Sequence, residues 1–311
     1  MIASAWADST KSKYARGWAT WSDWCKKYPE SPARPASPFY IALFLNELTI
    51  ADSKKGKIET AFLGIRWGHI VMGLDSPTVH PFVKLAFEGA KRISSRNTTK
   101  TRKEPMDLTV LNLALSKFGS SSNLLQQRFL VVCFLGFAGF FRISELLSVQ
   151  MKHIHFDLEH MTVTLEESKT DKLREGEIVH VARSFTPNCP VTITEKYIQD
   201  TRLAENPQNF LISRLSKTRF GHKAIGHKPL SYSTVRDSFK EHLSIILQDD
   251  SVVSTLGLHS LRSGGASAAA SHGVSDRLIG KHGRWSSETS RDGYIKDSKR
   301  VRLSVTKNLG F

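Results

Sequence analysis

The sequence predicts a mainly α-helical protein with one small antiparallel β-sheet. Apolar residues recur at helical spacing over most of the chain, whereas one short stretch alternates apolar and polar residues. The length of 311 residues exceeds that of one typical domain. We therefore expect two domains, of which the second contains the strands.

The first domain is predicted to consist of four helices within residues 1–97. Trp21 and Cys25 lie at helical spacing, and Ser37 followed by Pro38 is typical of an N-cap and first turn. Two further amphipathic stretches follow, each with apolar residues three or four positions apart. Together these helices predict a four-helix unit with its own core.

An exposed linker is predicted at residues 98–106. The stretch 95–105 is cationic, contains no aliphatic or aromatic side chain and ends in proline. Such a segment contributes nothing to a hydrophobic core, so the domain boundary is placed there. Residues 107–311 form the second domain, and Asp107 is predicted to cap its first helix.

The second domain is predicted to be helical around the small sheet. The apolar segment 124–150 predicts one or two buried helices, and helices return after Pro190 and around residues 235–246. Apolar residues alternate with polar ones over 161–165, and a similar pattern resumes at 178–181. These two strands, separated by a polar turn-rich segment, predict a hairpin.

A strongly basic surface loop is predicted at residues 214–228. The segment contains seven Lys, Arg and His side chains and two glycines. Two interpretations stay open, a loop that contacts DNA and an ordinary solvated loop.

The basic excess of the whole chain indicates a polyanionic partner. Lys and Arg total 44 against 29 Asp and Glu, a net charge of +15. The excess occurs in both predicted domains, so it does not belong to a detachable tail. A merely basic protein without a nucleic-acid partner is the alternative on charge alone.

Several classes of protein are disfavoured by what the sequence lacks. Cys25, Cys133 and Cys189 are too few and too widely spaced for a disulfide framework or a four-cysteine zinc site. The N-terminus has no signal-peptide pattern, and the longest apolar stretch, 129–141, is shorter than the roughly 20 residues that span a bilayer. We therefore expect an intracellular protein with no membrane partner, no bound metal and no other cofactor.

Four short motifs contain residues that suit phosphate chemistry. They are FFRISELL with Arg142, ESKTDK with Lys169, LHSLRSGG with His259 and Arg262, and GRWSSETSRDGY with Trp285 and Tyr294. Taken singly, each has an ordinary interpretation as an ion-paired, solvated or packing residue. Their spacing is more informative: the histidine precedes its arginine by three residues, the tryptophan follows that arginine by 23, and the tyrosine follows the tryptophan by nine.

This combination resembles the tyrosine recombinase, or phage integrase, family. That family's first catalytic arginine opens an R-x-x-E-L box, matched here by Arg142 and Glu145, and Lys169 falls on the hairpin turn where the family keeps a lysine. The resemblance covers roughly residues 8–298. It includes the helical unit, which looks like the family's core-binding (SAM-like) domain. Trp285 replaces the second histidine of many bacterial members, an exchange that the family tolerates.

The resemblance implies a site-specific DNA recombinase or integrase. The sequences GRWSS and HSLRSGGAS look closest to members carried by mobile elements, which implies DNA integration or transposition. Strands would be broken and rejoined through a 3′-phosphotyrosyl bond to Tyr294, without ATP or metal. No GxxxxGK[ST] motif and no clustered carboxylate set occurs in the sequence.

The same resemblance assigns roles to the motif residues. Arg142 and Arg262 would clamp the phosphate, because guanidinium groups offer forked donors matched to phosphate oxygens. His259 would accept the phenol proton, and Lys169 would protonate the departing 5′ oxygen, with Lys172 as the alternative. Trp285 would donate its indole N–H to the phosphate. Glu145 would orient the neighbouring arginine or histidine.

Double-stranded DNA and further copies of the chain are the implied partners. The two domains would clamp duplex DNA within a homotetramer in the nucleus, or in the cytoplasm or nucleoid of a bacterium. Additional DNA contacts are expected from four basic residues, Lys100, Arg102, Lys103 and Lys172. A tail with apolar residues would be exchanged between subunits; it contains Leu303, Val305, Leu309 and Phe311.

Two alternative functions share parts of this motif set. A type IB topoisomerase-like enzyme uses similar residues to relax DNA as a monomer without joining two sites. A recombinase-derived DNA-binding protein without catalysis is the second alternative, against which the complete residue set argues.

Overall fold

The computed structural model describes residues 5–96, 103–166, 176–297 and 299–310. The chain divides into two compact units, Met1–Thr101 and Arg102–Phe311. Within the described part of the chain, no helix is both long enough and apolar enough to cross a bilayer.

Among its described residues, the first unit contains four α-helices, at the places where the sequence predicts them. They are α1 (Asp8–Cys25), α2 (Pro38–Ile50), α3 (Lys55–Val71) and α4 (Pro81–Arg96). Their apolar faces form one core in which Trp21, Ile41, Leu45, Ile58 and Ile65 are fully buried. Burial of these side chains is the main stabilising contribution to the unit.

Two glycines bring α1 and α3 into backbone contact. A Cβ atom added to Gly17 would lie 2.0 Å from the Thr60 carbonyl oxygen, and one added to Gly64 would lie 2.4 Å from the Trp18 nitrogen. No larger side chain fits either place without a backbone shift. The first unit therefore depends on tight packing at this helix crossing.

The second unit contains ten helices and five strands among its described residues. The elements are α5 (Leu108–Phe118), α6 (Leu124–Ala138), α7 (Ile143–Ser148), β1 (Ile154–Phe156), β2 (His160–Leu165), β3 (Glu177–Ala182), α8 (Pro190–Thr201), β4 (Ser213–Thr218), β5 (Gly221–Pro229), α9 (Tyr232–Leu247), α10 (Asp250–Thr255), α11 (Leu258–Ser271), α12 (Asp276–His282), α13 (Glu288–Asp292) and α14 (Lys299–Lys307). Helix α6 is buried along almost its whole length and packs against α8 and α11. The prediction of a mainly helical fold with a small antiparallel sheet is confirmed.

The predicted hairpin forms two strands of a three-stranded antiparallel sheet. Strands lie in the order β1-β2-β3, with Met161 opposite Val181 and Val163 opposite Val179. The alternation seen in the sequence places Met161, Val163 and Leu165 in the core. Lys169 and Lys172 follow β2 in sequence but lie outside the described residues.

The interpretation of residues 214–228 as a loop is wrong, because they form a second antiparallel hairpin. Leu215 pairs with Ala224 and Lys217 with His222, and Gly221, with a φ of +125°, lies at the turn. This hairpin lacks the apolar alternation of a half-buried sheet, since its side chains lie mainly in solvent. Strands that are held by backbone pairing, without an apolar face, cannot be predicted from the spacing of apolar residues.

The second unit also includes residues 103–106, which were predicted to belong to the linker. Met106 is 2% exposed in the core, its N–H donates to the Ser260 carbonyl at 2.7 Å, and that of Glu104 donates to Thr255 at 2.9 Å. The apolar Met106 side chain therefore anchors the entry to α5. Asp107 caps that helix as predicted, accepting the Thr109 N–H at 2.7 Å.

Candidate active site

The motif residues of the second unit come from three separate parts of its chain. Arg142 occupies the N-cap position of α7, just after the end of α6, and Arg262 lies within α11. Trp285 and Tyr294 lie on either side of the short helix α13. Arg142 and Arg262 meet at the buried carboxylate of Glu145, and the rings of Trp285 and Tyr294 pack against Arg262.

Glu145 is 4% exposed and accepts contacts from three arginines. One carboxylate oxygen lies 2.5 Å from the Arg142 guanidinium, and the other lies 2.9 Å from Arg284 and 3.9 Å from Arg262. Burial alone would raise the pKa of Glu145, but the charge of Arg284 and the hydrogen bonds from Arg142 lower it below its usual range. Arg142 and Arg262 thus lie close enough to reach one common anion.

Arg262 is completely enclosed. Its two terminal nitrogens donate to the carbonyls of Phe140 and Gly283, and its guanidinium carbon lies 4.5 Å from the Trp285 ring centre and 5.1 Å from that of Tyr294. Burial, together with the charges of neighbouring arginines, lowers the pKa of Arg262 to about 10. The side chain is therefore still cationic at neutral pH.

Helix α11 fixes the backbone at the tyrosine. The Tyr294 carbonyl accepts hydrogen bonds from Ser263 at 2.5 Å and Ser267 at 3.4 Å, and its N–H donates to Arg291 at 2.8 Å. The Tyr294 ring packs against Trp285 with 5.2 Å between ring centres. The backbone of Tyr294 is thus attached to the helix that carries Arg262, and the residue remains partly exposed.

Trp285 presents a donor without a partner. Its indole nitrogen is buried and makes no hydrogen bond within the described part of the chain. A buried N–H of this kind is destabilising unless another group accepts it. The observation is consistent with the predicted donation to a phosphate oxygen.

The other predicted site residues are less closely defined. His259 lies exposed in the first turn of α11, three residues before Arg262. Lys103 is exposed and donates to the Ser254 carbonyl in the last turn of α10, a contact that satisfies a helix end. The remaining predicted residues, Lys100, Arg102, Lys169 and Lys172, lie outside the described part of the chain.

Arg284, the arginine immediately before Trp285, was not among the predicted site residues. Its side chain is 3% exposed and donates to the carbonyls of His282 at 2.8 Å, Phe140 at 3.0 Å and Gly139 at 3.2 Å, besides Glu145. The only sequence signal was its place in GRWSS, since arginine is rarely buried.

His282 is a second buried polar residue beside the site. Its Nε2 lies 2.8 Å from the Ala138 carbonyl oxygen, and its ring meets the Phe140 ring edge-on at 4.6 Å. Burial lowers the pKa of His282 from its usual value near 6.5. In the described ranges, no group of three or more His, Cys, Asp or Glu side chains is placed to hold a metal ion.

The two glycines that follow Arg262 serve helix packing. A Cβ on Gly264 would lie 2.2 Å from the Met106 carbonyl oxygen, and one on Gly265 would lie 2.0 Å from that of Phe137. Close approach of the neighbouring backbone therefore accounts for both glycines. This approach places Arg262 against the end of α6.

The chain was compared with known families and proteins. Residues 110–300 match the model of the phage integrase family. An integrase/recombinase XerD homolog from Selenomonas ruminantium is 28% identical over 296 residues, covering 93% of this chain and 82% of that protein.

Solved structures of similar fold include two recombinases bound to DNA. A XerH site-specific recombinase in a post-cleavage complex with difH has a TM-score of 0.61 and 13% identity, over 89% of this chain and 73% of that one. A lambda integrase dimer bound to a COC′ core site has a TM-score of 0.58 and 15% identity, over 95% and 91%. The family model alone spans more than half of the sequence, and the chain therefore belongs to the phage integrase family.

Proposed function

We propose that this protein is a site-specific DNA recombinase that breaks and rejoins strands through a covalent bond between Tyr294 and a 3′ phosphate. The convergence of Arg142 and Arg262 on one carboxylate, with the Tyr294 ring 5.1 Å from the Arg262 guanidinium, carries this proposal. The motifs GRWSS and HSLRSGGAS further favour a recombinase of a mobile element.

The arginines stabilise the charge that develops when the phenol oxygen attacks phosphorus. In-line attack concentrates negative charge on the non-bridging oxygens, and each positioned donor contributes about 3–4 kcal/mol to such a transition state. Because Trp285 and Tyr294 cover Arg262, their rings must shift to admit the phosphate. The same shift frees the phenol for attack and brings the indole N–H to an oxygen.

Two proton transfers complete the proposed reaction. A phenol has a reference pKa of about 10, so attack at neutral pH needs a base, a role that we assign to His259. The departing 5′ oxygen needs a proton, which Lys169 supplies as general acid, with Lys172 as the alternative. The phosphotyrosyl bond retains the energy of the broken phosphodiester, and a 5′ hydroxyl reverses the step without ATP or metal.

The general acid is tested by changing the leaving group. A substrate with sulfur at the 5′ bridging position releases a thiolate, whose conjugate acid has a pKa of about 8.5, and needs no proton donor. Lys169→Ala should therefore cleave the oxygen substrate at least about 100-fold more slowly, yet cleave the sulfur substrate at nearly the wild-type rate. If Lys172→Ala, and not Lys169→Ala, is slow on the oxygen substrate and recovers on the sulfur substrate, Lys172 is the general acid.

The hairpin of β4 and β5 supports DNA as the partner of this unit. Residues 213–229 contain no acidic side chain, and the hairpin exposes the basic side chains of Arg214, Lys217, Lys223 and Lys228. Replacing three of them by Gln should weaken binding and make the log–log salt slope shallower by about 0.9 for each phosphate that is no longer neutralised. An unchanged slope would remove the hairpin from the DNA surface.

We also propose that the protein acts as a tetramer with exchanged tails. Helix α14 and the residues after it expose Leu303, Val305 and Leu309, while Phe311 lies outside the described residues. A lambda integrase of similar fold, with a TM-score of 0.53, is a tetramer on a Holliday junction. Sedimentation with the DNA should reveal four chains, and Leu303→Asp/Val305→Asp should stop assembly at a smaller species.

Covalent trapping tests the proposed reaction. A pool of randomised duplexes, each carrying one nick, is incubated with the protein, and DNA that stays attached in SDS is sequenced to select one cleavable duplex. Wild type should form this adduct with the selected duplex, and Tyr294→Phe should form none. Tyr232→Phe is the matched control, because Tyr232 is 47% exposed at the start of α9, outside the site.

Plasmids carrying two copies of the selected duplex separate recombination from relaxation. Deletion or inversion of the intervening DNA is the expected product. Relaxed circles without rearranged products would instead assign the topoisomerase-like activity.

A further inference from the structure

We propose that Arg284 is a positioning residue that keeps the Glu145 carboxylate from neutralising the phosphate-binding Arg262. This inference rests on the proposed function and adds a residue to which no role in the reaction has been given. It is carried by the contacts that Arg284 makes with Glu145 and with the end of α6.

The distances around Glu145 describe a competition between two arginines for one oxygen. Arg284 lies 2.9 Å from that oxygen, whereas Arg262 lies 3.9 Å from it. The same oxygen also accepts the backbone N–H of Arg142 at 2.9 Å, and the other carboxylate oxygen lies 2.5 Å from the Arg142 guanidinium. Without Arg284, Arg262 would be the remaining cation beside this Glu145 oxygen among these contacts. A phosphate would then have to displace the Glu145 carboxylate from Arg262.

Arg284 also fixes the carbonyl to which Arg262 is attached. Both guanidiniums donate to the Phe140 carbonyl, Arg284 at 3.0 Å. Phe140 and Arg284 both adopt left-handed backbone conformations, with φ values of +46° and +56°. Non-glycine residues rarely adopt this region, and such residues persist where surrounding contacts impose them. The orientation of the Phe140 carbonyl therefore depends on the contact between the end of α6 and the segment that contains Arg284.

The contacts of Arg284 make direct phosphate binding a poor explanation for its presence, because its guanidinium hydrogen-bonds to Glu145 and lies over the Phe141 ring at 5.3 Å, whereas Trp285 and Tyr294 pack against Arg262. The Arg284 side chain is 3% exposed, and both terminal nitrogens already donate to protein acceptors. Its remaining nitrogen, Nε, lies 3.6 Å from a Glu177 oxygen of β3. Three arginines thus surround the buried Glu145, and only the partly exposed Glu177 adds a second negative charge. Such an excess of buried positive charge is unfavourable for stability, which points to a role in the reaction.

The test measures single-turnover cleavage of the selected duplex at saturating protein. Arg284→Met should cleave about 100-fold more slowly, the loss expected for slight misplacement of a catalytic group, with a DNA Kd within threefold of wild type. Arg284→Lys should be intermediate, since a lysine keeps the charge but cannot reach all four acceptors.

Arg128→Met is the matched control for loss of a buried arginine. Arg128 is 6% exposed and donates to the Ser213 carbonyl at 3.0 Å, away from the site residues. All variants are assayed below their melting temperatures, so that slower cleavage does not reflect unfolding. The control should cleave within about threefold of wild type, an effect of less than 1 kcal/mol.

Two further measurements separate positioning from a merely structural role. In a Glu145→Gln background the competing carboxylate charge is gone, so Arg284→Met should slow cleavage by less than about tenfold, a clear departure from additivity. A scissile methylphosphonate, in which a neutral methyl group replaces one non-bridging oxygen, should likewise reduce the penalty of Arg284→Met. Misfolding would affect charged and neutral substrates alike.

The outcomes distinguish this inference from the function on which it rests. A wild-type protein that forms no adduct overturns both. Two results would overturn the role of Arg284 alone, provided that the wild type cleaves. The first is a cleavage rate of Arg284→Met equal to that of Arg128→Met. The second is a rate loss of Arg284→Met that is the same with Glu145 or Gln at position 145, and the same on the phosphate and methylphosphonate substrates.

Discussion

The two units bury different kinds of side chain. Among residues 5–96, no Asp, Glu, Lys or Arg is buried, and the core is formed by aromatic and aliphatic side chains around a close helix crossing. The described part of the second unit buries four arginines and a glutamate: Arg128, Glu145, Arg262, Arg284 and Arg291. At the candidate active site, three arginines lie within 4 Å of the Glu145 carboxylate.

The difference shows where the molecule gives up stability for chemistry. Burying a charge is unfavourable unless it is paired, and like charges in a cluster add repulsion. Among the described residues of the second unit, such a cluster lies beside the tryptophan and tyrosine of the motif. We therefore expect changes in the cluster to alter catalysis more than stability, and changes in the first core to do the reverse.

Removal of Arg262 should give the largest effect on catalysis. We expect Arg262→Met to slow cleavage about 1000-fold, because a donor to the developing charge is lost. The free energy of unfolding should change by less than about 1 kcal/mol, since two carbonyls lose a donor while repulsion from Arg142 and Arg284 is relieved. Single-turnover kinetics and denaturant titration measure the two quantities. A large loss of stability with unchanged cleavage would break the comparison.

The first unit should respond in the opposite way to a change at the helix crossing. Gly17→Ala places a methyl group 2.0 Å from the Thr60 carbonyl oxygen and should destabilise the unit by about 2–3 kcal/mol. Gly56→Ala in α3, where nothing lies within 4 Å, should be neutral or slightly stabilising. Thermal melts of both variants give the answer. The cleavage rate at saturating DNA should be unchanged below the melting temperature, and equal melts would remove the packing argument.

Acid should have a smaller effect, for which the clearest source in the second unit is His282. The folded state lowers the pKa of His282 mainly through burial, so unfolding takes up a proton below pH 6.5. Its contribution is complete above that pH and is lost as the pH falls toward the folded pKa. We expect His282→Gln, whose amide can still donate to Ala138, to lose less stability than the wild type as the pH falls below 6.5. An identical pH profile in the variant would contradict this assignment.

The fold was largely predictable because its elements have strong local patterns. Amphipathic spacing located the helices of the first unit, Asp107 marked the start of α5, and alternation marked β2 and β3. The hairpin of β4 and β5 was missed because backbone pairing between solvated basic residues leaves no apolar period. The core position of Met106 depends on contacts with α11 that are distant in sequence.

The site was predictable only in the residues that form its motifs. The spacing of Arg262, Trp285 and Tyr294 identified a group that the fold brings together. Arg284 was not predicted, since its burial depends on the carbonyls at the end of α6 and on Glu145, which are distant in sequence. The role proposed for Arg284 depends on its tertiary contacts, which the motif GRWSS does not indicate.

Peptide mass spectrometry of the trapped adduct tests the central claim most directly. After nuclease and trypsin digestion, the attached nucleotide should lie on residues 292–296, DGYIK, joined through its 3′ phosphate to Tyr294. Attachment to any other residue, or through a 5′ phosphate, would contradict the assignment of Tyr294 as the nucleophile.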